Sequence, residues 1–383
     1  MIKNIINNHI NHIEHNNFKG WDPYDALNSP LLKFLSFNNK WGRIFWIQII
    51  RRLPFNLRKI LLIPKGHNPK GLGLFLEGYV KLYRSTKKEK YIYQIEQLLQ
   101  LLEDNVSQGY SGNCWGYNFP WQSRAVYRPR YTPTVVNTSF IGHALLDCYK
   151  FTGIKKAKKL ADTIPCFIIE DLNRKKENGT ICFSYSPIDH DFVHNANMLG
   201  ASYLLRYGKI SDNTEMINLA HKSLQYSINH QHDDGSWYFA EGSNYQWIDS
   251  FHTGFKLESI RRFIELDEGD KYIENYKIGK KFYQKNFFLE DGTPKYYYNK
   301  IYPIDSHVPS EAIYFFSGEC DQKSAEIVNK VLSWSVDNLW DDENHYFYFR
   351  KNRFLTNKIN YIRWSQAWFF RALTEAFLHQ KGY

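Results

Sequence analysis

Apolar residues recur at helical spacing in stretch after stretch of this chain, and the stretches are of two kinds. Residues 69–85 (PKGLGLFLEGYVKLYRS) are apolar on most sides and carry glycines for close packing, which predicts an inner helix. Residues 87–103 (KKEKYIYQIEQLLQLLE) are charged on one face and predict an outer one. The alternation continues, with inner stretches at 138–151, 195–207, 252–266, 306–316 and 364–378 and outer ones at 155–171, 213–230, 270–287 and 321–339. A polar residue opens each of these inner stretches: Asn137, His194, Asp249, Asp305 and Arg363, separated by 57, 55, 56 and 58 residues. A period that steady, carried by helix pairs, predicts repeats that share one core with their neighbours. With residues 41–63 as the first outer helix there are six pairs, enough to close an all-α toroid over 41–383. Residues 1–40 predict a polar leader.

The connections differ by side. Inner-to-outer links are short, as at Thr152–Gly153 and Ser317–Cys320, whereas outer-to-inner links are long and rich in aromatic residues. GTICFSYSPIDHDFVH (179–194), GSWYFAEGSNYQWID (235–249) and GTPKYYYNKIYPID (292–305) predict β-hairpin-like excursions. In a repeat of this kind all the long loops fall on one rim, where binding functions concentrate.

Composition adds two facts. Aromatic residues make up 17% of the chain, many of them in loops, where they suit the flat faces of sugar rings or wedge loops together. The formal net charge is +10, which fits an anionic partner or a lysine-rich solvated surface. No nucleic-acid signature accompanies the charge. The 41–63 segment is basic and apolar, so membrane contact is at most peripheral. Five cysteines without a CxxC pair fit reduced thiols. Together with an N-terminus lacking a signal-peptide core, they predict a cytoplasmic protein.

Gln231-His-Asp-Asp-Gly235-Ser-Trp237 has the Q-x-x-x-G-x-W spacing of the repeat that resembles terpenoid-cyclase and prenyltransferase-like toroids, where it pins outer helices to loops. The D-x-D-D acid of the cyclases and the zinc set of the prenyltransferases are missing. VHNANMLGA (193–201), WIDSFHTGF (247–255) and IRWSQAWFFRAL (362–373) resemble toroidal proteins of bacterial capsule and exopolysaccharide gene clusters. Those are similar in architecture to six-hairpin glycosidases, uronyl hydrolases and sugar epimerases. The resemblance implies a carbohydrate-active protein of surface-polysaccharide biosynthesis or modification.

The starts of inner helices offer free N–H groups and a positive dipole end, which favour anionic or hydroxyl-rich ligands. Acid/base-capable residues gather there: Asp189, His190, Asp191 and His194, then Asp249 with His252, then Asp305 with His307. Asp249, His252, Asp305, His307 and His194 form the expected catalytic set, with carboxylates as acid or nucleophile and histidines as base. Trp115, Trp121, Arg124, Asp189, His190, Trp237, Tyr298, Arg363 and Trp364 are the expected substrate contacts, the arginines clamping a carboxylate or phosphate. Against this stands a structural role, since Asn137, Asp249 and Asp305 also suit helix N-caps. Glu258 and Glu311 point either down the barrel axis as acids or into pairs with Arg261 or Arg262.

No metal and no cofactor is expected. The partner is a glycan, anionic or neutral, handled by hydrolysis, elimination or epimerisation. A prenyl- or terpenoid-handling enzyme and a non-catalytic glycan-binding scaffold remain the alternatives.

Overall fold

Ile2, Ile5, Ile6, Ile10 and Ile13 fall on one face of helix α1 (Ile2–His15), and all five are buried. The computed structural model describes residues 2–267 and 270–382, and in it the N-terminal stretch is an outer helix packed on the last helix of the chain. The predicted polar leader is corrected accordingly: its Asn residues, with His12 and His15, form the wet face of an amphipathic helix.

Helices α2 (Pro30–Leu35) and α3 (Lys40–Arg52) follow, then inner α4 (Pro69–Thr86) and outer α5 (Lys90–Asp104). Inner α6 (Val135–Thr152) leads to an outer segment made of α7 (Lys155–Ala161) and the single turn α8 (Ile164–Cys166). Inner α9 (His194–Ile210) pairs with outer α10 (Thr214–Ile228), and inner α11 (Ser250–Asp267) with outer α12 (Ile273–Asn286). Inner α13 (His307–Ser317) pairs with outer α14 (Gln322–Leu339), and α15 (Trp368–Gln380) ends the chain.

Each inner helix packs on the next, and α15 packs back on α4, so the ring of six closes. The molecule is an α/α toroid of six helix pairs, the last closed by α15 with α1 from the other end of the chain. Residues 41–63 are therefore not an outer helix. Their α3 lies over the loop rim, with Ile47, Ile50 and Ile63 sharing a small separate core with Ala26, Leu27 and Leu32.

Close packing of the ring needs small residues where helices cross. A Cβ on Gly73 would lie 2.7 Å from Ile141 on α6, and one on Gly78 would lie 2.5 Å from Phe370 on α15. The Q-x-x-x-G-x-W turn pins the outer layer, as its resemblance to the terpenoid-cyclase-like repeat implies. The Gln231 amide donates to the Asn275 carbonyl on α12 (2.9 Å), and Gly235 takes φ +89° against the Ile278 backbone. The long loops form short antiparallel pairs, the fullest being Arg174–Glu177 with Thr180–Phe183. No helix among the described residues is long and apolar enough to cross a membrane.

α1 is locked in place through His9, which is fully buried and edge-on to Trp340 and Phe347, with Nε2–H donating to the Gln366 Oε1 (3.0 Å). Burial, reinforced by the nearby His12, lowers its pKa to about 3, so the folded protein holds His9 neutral where the unfolded chain protonates it. The stability this confers is complete above about pH 6.5 and is lost as pH falls toward the folded value. Urea unfolding of His9→Gln should therefore show a loss between pH 7 and 5 that is smaller than wild type's by about 2 kcal/mol. Identical pH dependence in the two proteins would contradict this.

Candidate active site

A cavity of about 550 Å³ opens where the inner helices begin. All six contribute to its wall or approach: Lys70 from α4, Val136 from α6, Asn195 from α9, His252 and Phe255 from α11, His307 from α13, and Arg363 with Trp364 just before α15. Aromatic side chains of the loops complete it, among them Trp121, Tyr185, Phe239, Trp247 and Tyr296.

Local sequence sets the positions of the reactive groups. Asp249 precedes α11, and its Oδ1 accepts the His252 backbone N–H (3.0 Å), as an N-cap does. Its Oδ2 meets His252 Nδ1 at 2.7 Å and also accepts from the Trp247 indole (3.2 Å). An ionised carboxylate only accepts, so Nδ1 donates to it and Nε2 is the ring nitrogen left to face a ligand. One carboxylate thus caps the helix and orients a base.

His307 begins α13 the same way, its N–H bonded to Asp305 Oδ1 (3.2 Å). Its ring lies between Phe251 (4.4 Å between centroids), Trp364 (4.8 Å) and Trp368 (4.2 Å). Neither ring nitrogen has a protein partner. Burial, and then the charges of Lys70 and Arg363, push its pKa well below the usual histidine value, so the imidazole is neutral. The buried Asn195 Oδ1 and Trp364 Nε1 are likewise unpartnered. Buried polar atoms are ordinarily hydrogen-bonded, so a cavity holding several without partners is shaped for a polar ligand.

Lys70 was invisible to the loop-and-opener pattern. It is buried in the first turn of α4, behind the Asn68 cap, with Nζ over the rings of Phe140 (4.6 Å), Trp368 (5.0 Å) and Phe255 (5.7 Å). Burial together with Arg363 and Arg371 drives its pKa well below the usual lysine value, which makes it ready to exchange a proton. The signal was present: Asn68-Pro69-Lys70 is the helix opener of the first repeat.

The structure brings Asp249, His252, His307, Trp121, Arg124, Arg363 and Trp364 to this cavity and places the other expected residues elsewhere. Asp305 is fully buried and faces Arg350 (3.3 Å), so it acts on the site only by holding the start of α13. His194 is buried between Ser227 (3.2 Å) and Glu241 (2.7 Å). Asp189 ties the 186–191 turn to Arg128 (2.5 Å), whose guanidinium also holds the cavity residue Asp191 (3.0 Å). His190 and Tyr298 are exposed away from the cavity.

Trp115 and Trp237 have no exposed surface, and each donates its indole N–H to a backbone carbonyl, Leu102 and Ser227 respectively (both 2.9 Å). These two are wedges that hold loops to helices. Arg363 lines the cavity, yet Asp22 occupies its fork bidentately at 2.6 and 2.8 Å, so it does not present that fork to a ligand. Arg124, at the mouth, is exposed and among the described residues has no carboxylate partner. Glu258 and Glu311 do point toward the axis, away from this cavity: Glu258 is bonded to Arg262 and Arg371, and Glu311 to Arg371. Among the described residues no group of three or more His, Cys, Asp and Glu side chains is arranged to hold a metal ion.

A model of glycosyl hydrolase family 88 matches residues 71–251. Among solved structures, the fold is shared with a cellobiose 2-epimerase from Bacillus thermoamylovorans at a TM-score of 0.64 and 15% identity, covering 82% of this chain and 88% of that one. It is shared with an alpha-1,6-mannanase from Salegentibacter sp. (TM-score 0.56, 13% identity, 82% and 90% covered). A D-mannose isomerase matches with a TM-score of 0.60, 13% identity, and 82% and 88% covered. At these identities the likeness establishes the six-hairpin toroid. No curated protein matches the chain in sequence.

The Asp22–Arg363 pair makes a sharp prediction. Both side chains are buried, so Asp22→Ala leaves an uncompensated guanidinium beside Trp364 and should cost about 3–5 kcal/mol in urea unfolding. A cost under about 1 kcal/mol, the range of exposed pairs, would return Arg363 to the role of a free anion clamp.

Proposed function

We propose that this protein is a carbohydrate-active enzyme that moves a proton on a sugar, using His252 and His307 as its acid/base pair. The observation that carries the reading is the pairing of an oriented base, His252 on Asp249, with a neutral His307 whose ring nitrogens are unpartnered in the same cavity. Both rings flank Phe251, at 4.2 and 4.4 Å. The match to glycosyl hydrolase family 88, and the fold shared with an epimerase, a mannanase and an isomerase, support a carbohydrate-active enzyme.

The chemistry follows from the groups present. With an open-chain sugar in the cavity, one neutral imidazole takes the proton from the carbon beside the carbonyl. The negative charge that develops on oxygen is met by a proton or hydrogen bond from Lys70. The imidazolium so formed returns its proton to the neighbouring carbon, giving an isomer, or the other histidine, first protonated from solvent, delivers a proton to the opposite face, giving an epimer. The two carboxylates that line the cavity are both engaged, Asp249 with His252 and Asp191 with Arg128, whereas glycoside hydrolysis needs two free to act across a sugar. Hydrolysis stays as the second reading because of the family 88 match.

Arg124 at the mouth supports an anionic glycan. The motif resemblance supports surface-polysaccharide biosynthesis or modification as the setting, in the cytoplasm. A prenyl- or terpenoid-handling cavity would leave the unpartnered polar atoms of His307, Asn195 and Trp364 without use.

Incubation with neutral and uronate-containing disaccharides in D2O separates the readings. Proton transfer predicts deuterium uptake without chain shortening, lowered about 10²–10⁴-fold in His252→Ala and in His307→Ala. Asp249→Asn, which keeps a cap but loses the charge behind His252, should fall between these and wild type. Shortened products without deuterium would make the enzyme a hydrolase. No turnover, with sugar binding intact in wild type and variants alike, would make it a glycan-binding scaffold.

A further inference from the structure

The excursion between α1 and α4 leaves large apolar side chains in solvent that the toroid does not use. Phe34 (74% exposed) lies near the end of α2 and Phe37 (81%) in the turn after it, and Trp41 (68%) and Phe45 stand one turn apart on α3. Ile60 (76%) and Leu62 project from the loop that follows. Phe354, 90% exposed at the tip of the 350–357 hairpin, joins them, because the Asn357 amide holds that hairpin to the Leu53 carbonyl (2.9 Å). Soluble surfaces do not normally gather this many aromatic and aliphatic tips in one region.

Charge identifies the partner. From Ala26 to Leu76 the chain contains no Asp or Glu. Lys33, Arg52, Lys59 and Lys65 are exposed in this region, and among the described residues none is paired with a carboxylate. Arg58, by contrast, is buried on Asp25 (2.8 Å) and holds the base of the region together. Apolar side chains that insert, ringed by cations that find phosphate, are what an anionic interface selects.

We propose that this region docks the protein on the surface of an anionic phospholipid bilayer. The opposite side of α3 gives the docking a purpose. Its Ile44, Ile47 and Arg51 line a groove of about 360 Å³ that shares Trp121, Ser123 and Arg124 with the mouth of the main cavity. Seating Trp41 and Phe45 in the headgroup layer therefore sets that mouth beside the membrane.

Flotation of the full chain with vesicles tests this directly. Vesicles of equal parts phosphatidylglycerol and phosphatidylcholine should carry the protein, pure phosphatidylcholine should not, and raising salt to about 0.5 M should release most of it. Two variants with unchanged circular-dichroism melts complete the test: Trp41→Ser/Phe45→Ser/Phe354→Ser and Lys33→Glu/Lys59→Glu. Each should lower the bound fraction about tenfold or more. Absence of flotation, equal binding to both vesicle types, or binding unchanged in both variants would overturn the proposal. So would a dimer in solution that the apolar triple variant dissociates while wild type ignores vesicles, since a second copy would then be the occupant.

Discussion

One buried guanidinium holds the register of this toroid. Arg371 on α15 donates to Glu77 on α4 (2.8 Å), Glu258 on α11 (2.8 Å) and Glu311 on α13 (3.2 Å), with its cation over Tyr314 at 3.2 Å. All of these groups are out of water, so each bond acts in a low dielectric and leaving one partner behind would be costly. Three carboxylates around one arginine carry excess negative charge. Arg262 on Glu258 and Lys81 on Glu77 offset part of it, and burial with the neighbouring Glu258 and Glu77 charges drives the Glu311 carboxyl well above the usual range, keeping it protonated.

Three of these helices also carry the reactive groups, and the segment leading into α15 carries the cavity residue Arg363. Lys70, His252, His307 and Arg363 stand one to two turns before Glu77, Glu258, Glu311 and Arg371 on their respective chain segments. Fixing the charged cluster on the axis therefore fixes where the cavity groups sit relative to each other, although the two sets do not touch. Caps finish the positioning at the other end. Asp249 and Asp305 hold the first turns of α11 and α13, so the alternatives of cap and functional residue, opposed in the sequence, are one arrangement at Asp249. Preorganisation of this kind is what acid/base chemistry on a sugar requires.

Much of this was legible because it is periodic. The spacing of Asn137, His194, Asp249, Asp305 and Arg363, the alternation of apolar and amphipathic helices, and the loops gathered on one rim all rest on local sequence. What was not legible depends on long-range partners or on weak patterns. The Asn-rich α1 hides its isoleucine stripe among polar residues, and α3, with its tryptophans and isoleucines, drew the role of first outer helix. Asp22 lies 341 residues from Arg363, so nothing local marks that arginine as already paired. Trp115 and Trp237 sit in loops, as sugar-stacking residues do, yet the loops fold inward and bury them. Lys70 follows the Asn68 opener with no acidic group beside it, so the sequence marks the position and only the assembled ring reveals its place in the cavity.

The central claim is that the two histidines of the open rim handle the sugar. A crystal structure with a reduced disaccharide, which binds but lacks the carbonyl needed for turnover, tests it most directly. The account predicts a sugar in the 550 Å³ cavity, hydrogen-bonded to His252 Nε2 and to a ring nitrogen of His307. A sugar seated instead at the opposite end of the ring, in the groove between Glu77 and Arg262, or one in the cavity that touches neither histidine, would contradict it.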